Sequence, residues 1–152
     1  MKVLIGDLLR DQFYEGVFFR ADVFVKVLAL GEGGYEIYQK MYKSLYPKRK
    51  EEEIEERFQS LLQLNELYQE DMFKLKKYPV EITKKGWIWD GAHRLAVAIF
   101  NGETEVSARI AGKFRCHPNH TMGRYIKFFE RDEYAKLTNC IARYFIKYEV
   151  FK

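Results

Sequence analysis

The chain has 152 residues, 47% of them hydrophobic and 16% aromatic; this is enough apolar mass to offset the ordering entropy of one domain, and too little length for two comfortable ones. A largely disordered chain is thereby excluded, and so is a spanning segment, because the apolar stretch at residues 17–30 is broken by Arg20, Asp22 and Lys26. The formal charge of +4 and pI near 8.9 suit an anionic ligand as well as nucleic acid and choose neither.

The opening MKVLIGDLLR is a short apolar run that fits an edge strand or the start of a helix. Residues 22–30 are apolar almost all round, which predicts a buried helix after Arg20. The GEGG at 31–34 breaks it, and Ile37, Met41 and Leu45 then repeat at a spacing of four, a helical stripe that stops near Pro47. In the following charge run Lys48, Arg49 and Lys50 abut Glu51, Glu52 and Glu53. The mixed signs argue against a nucleic-acid arm, and the recurrence of Ile54, Phe58, Leu61 and Leu62 predicts a packed helix with its acids near the positive end.

Around the turn Lys84, Lys85 and Gly86, two short strands are expected, since Val80 and Ile82 alternate with Glu81 and Thr83, and Trp87 and Trp89 flank Ile88. The second strand runs into Gly91, a helix is expected over 92–100, and Asn101 with Gly102 supplies a left-handed end. The segment TEVSARIAG alternates as a further strand, and residues 113–124 read as a loop. A C-terminal helical segment over about 121–149 follows, with Tyr134, Leu137, Ile141, Tyr144, Phe145 and Tyr148 on one inward face, packed in the core or against a second copy in a homodimer.

The chemistry-bearing stretch is GWIWDGAHRLAVAIF, residues 86–100, where Asp90, Gly91, His93 and Arg94 sit between a strand and a helix. A helix start leaves its first N–H groups unpaired and partly positive, so a glycine turn there can receive phosphate oxygens. Gly91 and the amide of Ala92 would approach the phosphate, Arg94 would neutralise it, and His93 would donate to an oxygen or carry a proton. Asp90 would cap the helix, or bind a hydroxyl or a metal that bridges phosphates. On spacing alone an Asp-Gly turn before a helix is common and needs no ligand.

The longer stretch DGAHRLAVAIFNG, followed by TEVSARI, resembles the DG-x-HR-x-x-A motif of the ParB/sulfiredoxin-like superfamily. Asp90, Gly91, His93, Arg94 and Ala98 fall on that motif, within residues 79–110. The resemblance implies one α/β (α+β) domain over residues 1–152, with a small mixed sheet, flanking helices and a motif loop that holds nucleotide phosphates. The form with Asp-Gly before x-His-Arg is closest to the free serine kinase-like and uncharacterised branches. Sulfiredoxin chemistry needs a cysteine where this chain has Ala92, and ParB proteins carry Glu-Arg-Arg at residues 92–94. The first departure sets sulfinic-acid repair aside, and the second separates the chain from the chromosome-partition ParB proteins themselves.

Other residues carry secondary expectations. Arg20 and Asp22 are charges inside an apolar segment, where burial is costly unless they are paired or used. Arg20 is therefore a candidate phosphate ligand, and Asp22, Glu15 and Asp90 are candidate carboxylate bases for a transferase. Arg115, Cys116, His117, His120 and Arg124 gather in one loop that reads first as a plain surface loop; a basic loop over an anionic ligand is the next reading, ahead of a closed zinc site, for which ligands are lacking. With Cys116 and Cys140 forming no CxxC and no secretory signal before them, a reducing cytoplasm is the expected setting.

The combined expectation is a phosphotransferase that uses ATP or ADP with magnesium on a small hydroxylated metabolite. Asp90, His93 and Asp22 are its candidate catalytic residues, and Gly91, Ala92, His93, Arg94 and Arg20 its phosphate contacts. The competing expectation is a non-catalytic ParB-like module that binds nucleotide or DNA and works through a partner.

Overall fold

The computed structural model describes residues 1–14, 20–31, 34–70, 79–83, 88–112 and 126–150. The ambiguous N-terminal run does both things in turn: strand β1 (Lys2–Leu4) leads directly into helix α1 (Ile5–Tyr14). Helices α2 (Asp22–Leu30), α3 (Gly34–Leu45) and α4 (Glu51–Glu70) follow, then strands β2 (Val80–Ile82) and β3 (Ile88–Asp90). Helix α5 (Ala92–Phe100), strand β4 (Glu105–Ile110), a 3-10 turn (Ile126–Phe128) and helix α6 (Arg131–Lys147) complete the described elements.

The four strands form a mixed sheet in the order β1-β4-β2-β3. The outer pairs are antiparallel and β2 runs parallel to β4, with Val80 opposite Ala108 and Ile82 opposite Ile110. This is the α/β arrangement of a small mixed sheet with flanking helices that the sequence led us to expect. Among the described residues no helix is long and apolar enough to cross a membrane.

Helix α2 is the hub. All eight residues from Asp22 to Ala29 are buried, as an element apolar on every side must be when other helices surround it, and it packs against α3, α4, α5 and α6. The stripe on α3 is buried at Ile37 and Met41, but the same helix also buries Tyr38 and Tyr42. On α4 the burial falls on Ile54, Phe58, Leu61 and Tyr68, with Glu51, Glu52 and Glu53 in its first turn, where the helix dipole favours them.

Helix ends are closed by recurring devices. After α5, the amides of Gly102 and Glu103 bond back to the carbonyls of Ile99 and Ala98 at 3.1 and 3.0 Å, the Schellman pattern, with Gly102 at φ 82°. After α6, Glu149 (φ 55°) takes the same left-handed place, and the Val150 amide reaches the Phe145 carbonyl at 3.0 Å. Val150 is fully buried, so this turn folds that residue back into the core. Arg10 clamps it there, donating to the carbonyls of Val150 and Glu149 at 3.0 and 3.1 Å.

The inward face of α6 is Leu137, Cys140 and Phe145, with Ile141, Tyr144 and Tyr148 packed alongside. Tyr134, expected on that face, lies in the first turn of the helix and is 41% exposed.

Gly6 faces the folded-back end, and a Cβ at that position would lie 2.6 Å from the Tyr148 carbonyl oxygen. Because the obstacle is backbone held by a Schellman turn, it has little room to yield. Gly6→Ala should therefore lower unfolding free energy by about 1–3 kcal/mol, read as a reduced denaturation midpoint in urea with an unchanged slope.

Candidate functional site

Strand β3 delivers Asp90 and Gly91 to the start of α5, and Gly91 is the helix N-cap at φ 96°, ψ 25°. Two features require glycine here. The left-handed backbone disfavours any side chain, and a Cβ would meet Val80 Cα at 3.1 Å and the Arg94 guanidinium at 3.3 Å. The chain thus passes tightly under Arg94, which folds back to donate to the Pro79 carbonyl at 2.8 Å.

Asp90 does not cap the helix. Its carboxylate is 68% exposed and lies 3.6 Å from Arg94 Nη2, four residues ahead. The first bond inside α5 runs from the Leu95 amide to the Gly91 carbonyl at 2.9 Å. Among the described residues the amides of Ala92, His93 and Arg94 have no backbone acceptor, which leaves the partial positive charge of the helix start facing outward.

A cleft of about 710 Å³ opens at this helix start, within the size range of small-molecule sites. Among the described residues its walls carry five cationic side chains, Arg20, Lys26, Arg49, Arg57 and Arg94, and one carboxylate, Asp90. Tyr42, Tyr46 and Trp89 add aromatic surface. Arg57 lies 5.8 Å from the Tyr42 ring centre and Arg49 lies 4.5 Å from that of Tyr46. Both cations are held over aromatic faces at the cleft, an attraction that keeps them there without neutralising them.

The floor is a buried charge cluster. Arg20 Nε and Nη2 bond the two oxygens of Asp22 at 2.8 Å each, and Lys26 Nζ bonds Asp22 Oδ2 at 3.1 Å. Arg20 is 5%, Lys26 3% and Asp22 0% exposed. Arg20 and Lys26 line the cleft, while Asp22 lies beneath them. Asp22, expected as a candidate base, has both oxygens engaged by cations and is not among the residues that line the cleft.

His93 also lines the cleft, and its Nε2 lies 3.1 Å from the Tyr38 hydroxyl. Burial, and then the positive charge of Lys26, with Arg57 and Arg20 adding to it against Asp22, pushes its pKa down to about 3. The ring is therefore neutral at physiological pH and stands at the cleft as an uncharged hydrogen-bonding group. Burial in turn pushes the Tyr38 phenol up, so it keeps its proton. A neutral imidazole has one N–H, and Tyr38 donating to Nε2 would leave that proton on Nδ1.

Of the residues expected at the site, Asp90, Gly91, Ala92, His93, Arg94 and Arg20 meet around this one cleft. Glu15 and the 113–124 loop, with Arg115, Cys116, His117, His120 and Arg124, lie outside the described residues. Sequence reasoning missed Lys26, Arg49, Arg57 and the tyrosines Tyr42 and Tyr46. Two signals were there to be read. Lys26 follows Asp22 by four residues inside an apolar helix, the spacing of a buried ion pair, and Tyr38, Tyr42 and Tyr46 recur every fourth residue. No protein-family model matches the chain, and neither the curated proteins nor the solved structures contain a match to it.

Two measurements check the electrostatics. Because the His93 pKa is lower folded than its usual 6.5, the unfolded chain binds the extra proton first. Its contribution is complete above about pH 6.5 and is lost as pH falls towards 3, with a slope of up to ~1.4 kcal/mol per pH unit. In denaturant titrations between pH 6.5 and 4.5, His93→Gln should lose stability less steeply than the parent protein. Asp22→Ala, which leaves two buried cations facing each other, should cost about 3–5 kcal/mol at pH 7.

Proposed function

We propose that this protein binds a nucleotide by its phosphates at the start of α5 and uses it, as ATP or ADP with magnesium, to phosphorylate a small hydroxylated metabolite. The observation that carries the reading is the one-sided cleft: among the described residues, five cationic side chains and α5 amides without a backbone acceptor converge where a single carboxylate stands. Positive side chains together with helix-start amides are what phosphate oxygens select. The DG-x-HR-x-x-A motif points the same way, since Asp90, Gly91, His93 and Arg94 of that motif all line this cleft. A ParB/sulfiredoxin-like relationship is thus part of the proposal.

Each side chain then has a task. The amides after Gly91 and the cations Arg20 and Arg57 hold phosphate oxygens. Arg94 holds Gly91 and Pro79 together and presents its remaining donors to the cleft. Neutral His93 donates a hydrogen bond and does not compete as a cation. Asp90 is the one carboxylate lining the cleft among the described residues. It is accordingly the group that would bind magnesium or accept the proton of the attacking hydroxyl.

Purified protein titrated with ATP, ADP, CTP and GTP, with and without magnesium, should show a rise in melting temperature for at least one nucleotide, because a ligand that binds only the native state stabilises it by mass action. Arg57→Gln, an exposed cleft cation with no described fold contact beyond the Tyr42 ring, should diminish that shift while leaving the ligand-free melting temperature unchanged. With an acceptor found by screening hydroxylated metabolites, Asp90→Asn should lower turnover by about 10²- to 10⁴-fold with nucleotide binding retained. A folded protein that shifts with none of the four nucleotides would remove the nucleotide reading.

A further inference from the structure

We propose that the cleft receives the free end of a phosphate chain end-on, with the Lys26 ammonium as its floor contact and Asp22 as the residue that holds that ammonium in place. The inference rests on reading the cleft as a phosphate site and specifies which phosphates it admits.

The starting point is a lysine with donors to spare. Lys26 sits in the middle of α2, is 3% exposed, and still lines the cleft. An ammonium has three N–H donors. One goes to Asp22 Oδ2 at 3.1 Å, the Tyr42 ring lies 5.9 Å away, and among the described residues there is no further acceptor for the other two. A buried ammonium is costly unless its donors are satisfied, and the side open to a partner is the cleft.

Asp22 explains why Lys26 is held there rather than released to solvent. Its carboxylate is gripped at both oxygens by Arg20 and shares Oδ2 with Lys26. The ammonium is thereby anchored from below, on the side away from the cleft. Arg20, only 5% exposed, lines the same deep region. Lys26 is also close to the α5 start, since its charge is the first cause after burial that keeps His93 neutral. An anion reaching Lys26 therefore lies among the helix amides and the His93 ring.

Depth sets the selectivity. A terminal phosphate carries about 1.5–2 negative charges near neutral pH and three acceptor oxygens on one side, so it can enter first and meet Lys26, Arg20 and the α5 amides together. A phosphodiester within a strand carries one charge and a substituent on each side, and has no free end to insert to that depth. The cleft should thus admit pyrophosphate and the ends of nucleoside di- and triphosphates, and refuse a nucleic-acid backbone.

Calorimetric titration of the full chain with pyrophosphate, with ATP, and with an oligothymidylate bearing hydroxyls at both ends tests this. Wild-type protein should bind the first two, with the oligonucleotide at least about 100-fold weaker. Lys26→Met should weaken both phosphate ligands by roughly 10- to 100-fold, the loss expected for charge-assisted hydrogen bonds. Its melting temperature should stay close to that of the parent, because the Arg20–Asp22 pair survives. If Lys26→Met does not fold, Lys26→Gln, which keeps a donor to Asp22, carries the same test.

Equal affinity of the folded variant and the wild type for pyrophosphate and ATP would overturn the role of Lys26 while leaving the nucleotide reading intact. An oligonucleotide that displaces ATP as readily as pyrophosphate does would overturn end-on entry and favour a backbone-binding module. Binding of pyrophosphate without ATP would support the floor contact and remove the nucleotide, and binding of neither would overturn both readings.

Discussion

A carboxylate with no exposure, Asp22, gripped by Arg20 and Lys26, is the interaction on which the rest of this molecule depends. It lies at the first turn of α2, the helix that packs against α3, α4, α5 and α6. A charge in that position is tolerable only when its partners are buried with it, and this brings two cations under the start of α5. Asp22 therefore anchors the central helix, while Arg20 and Lys26 line the floor of the cleft, where their charges add to burial in keeping His93 uncharged. Stability and ligand chemistry are coupled here, because the acid that stabilises α2 also positions the cations that an anion would meet.

The cleft is open because of how α5 is held. Its C-terminus is closed by the Schellman turn through Gly102 and Glu103, and the Asn101 side chain ties it to Asn65 on α4 at 2.7 Å. Its N-terminus is fixed by other means, with Arg94 reaching over Gly91 to the Pro79 carbonyl. That arrangement secures the strand, turn and helix without consuming the first amides. The positive φ of Gly91 and its close approach to Val80 are the backbone conditions for it.

The aromatic residues act as spacers between cations. Tyr38 and Tyr42 pack with ring centres 4.8 Å apart and Tyr42 and Tyr46 at 5.9 Å, forming a ladder along α3. Lys26 and Arg57 lie by Tyr42 and Arg49 by Tyr46. Aromatic faces hold cations in place at modest gain and leave the charge available to an anion, whereas carboxylate partners at the same positions would have cancelled it.

Several features were legible in the sequence because they depend on local chemistry. The buried helix after Arg20, the strand, turn and helix through Gly91 and the left-handed stop at Gly102 follow from apolar period, glycine conformational freedom and helix-start geometry, which act within a few residues. The same local rules left the first ten residues undecided, since an apolar run fits strand and helix equally, and pairing of Lys2–Leu4 with β4 settled it. They also placed Tyr134 inward, where the packing of α6 leaves it exposed. The cleft lay beyond their reach. Lys26 could be read as an ion-pair partner of Asp22 and Arg49 as part of a solvated charge run, but no rule of spacing brings residues 20, 26, 49, 57 and 94 to one place. The sequence by itself determined most of the elements and the glycine turn at the start of α5, because those are decided between near neighbours. The tertiary structure alone decided that Asp22 is buried between Arg20 and Lys26, and that the cations of α2, α4 and α5 face one cleft, because burial and electrostatic fields are set by residues distant along the chain.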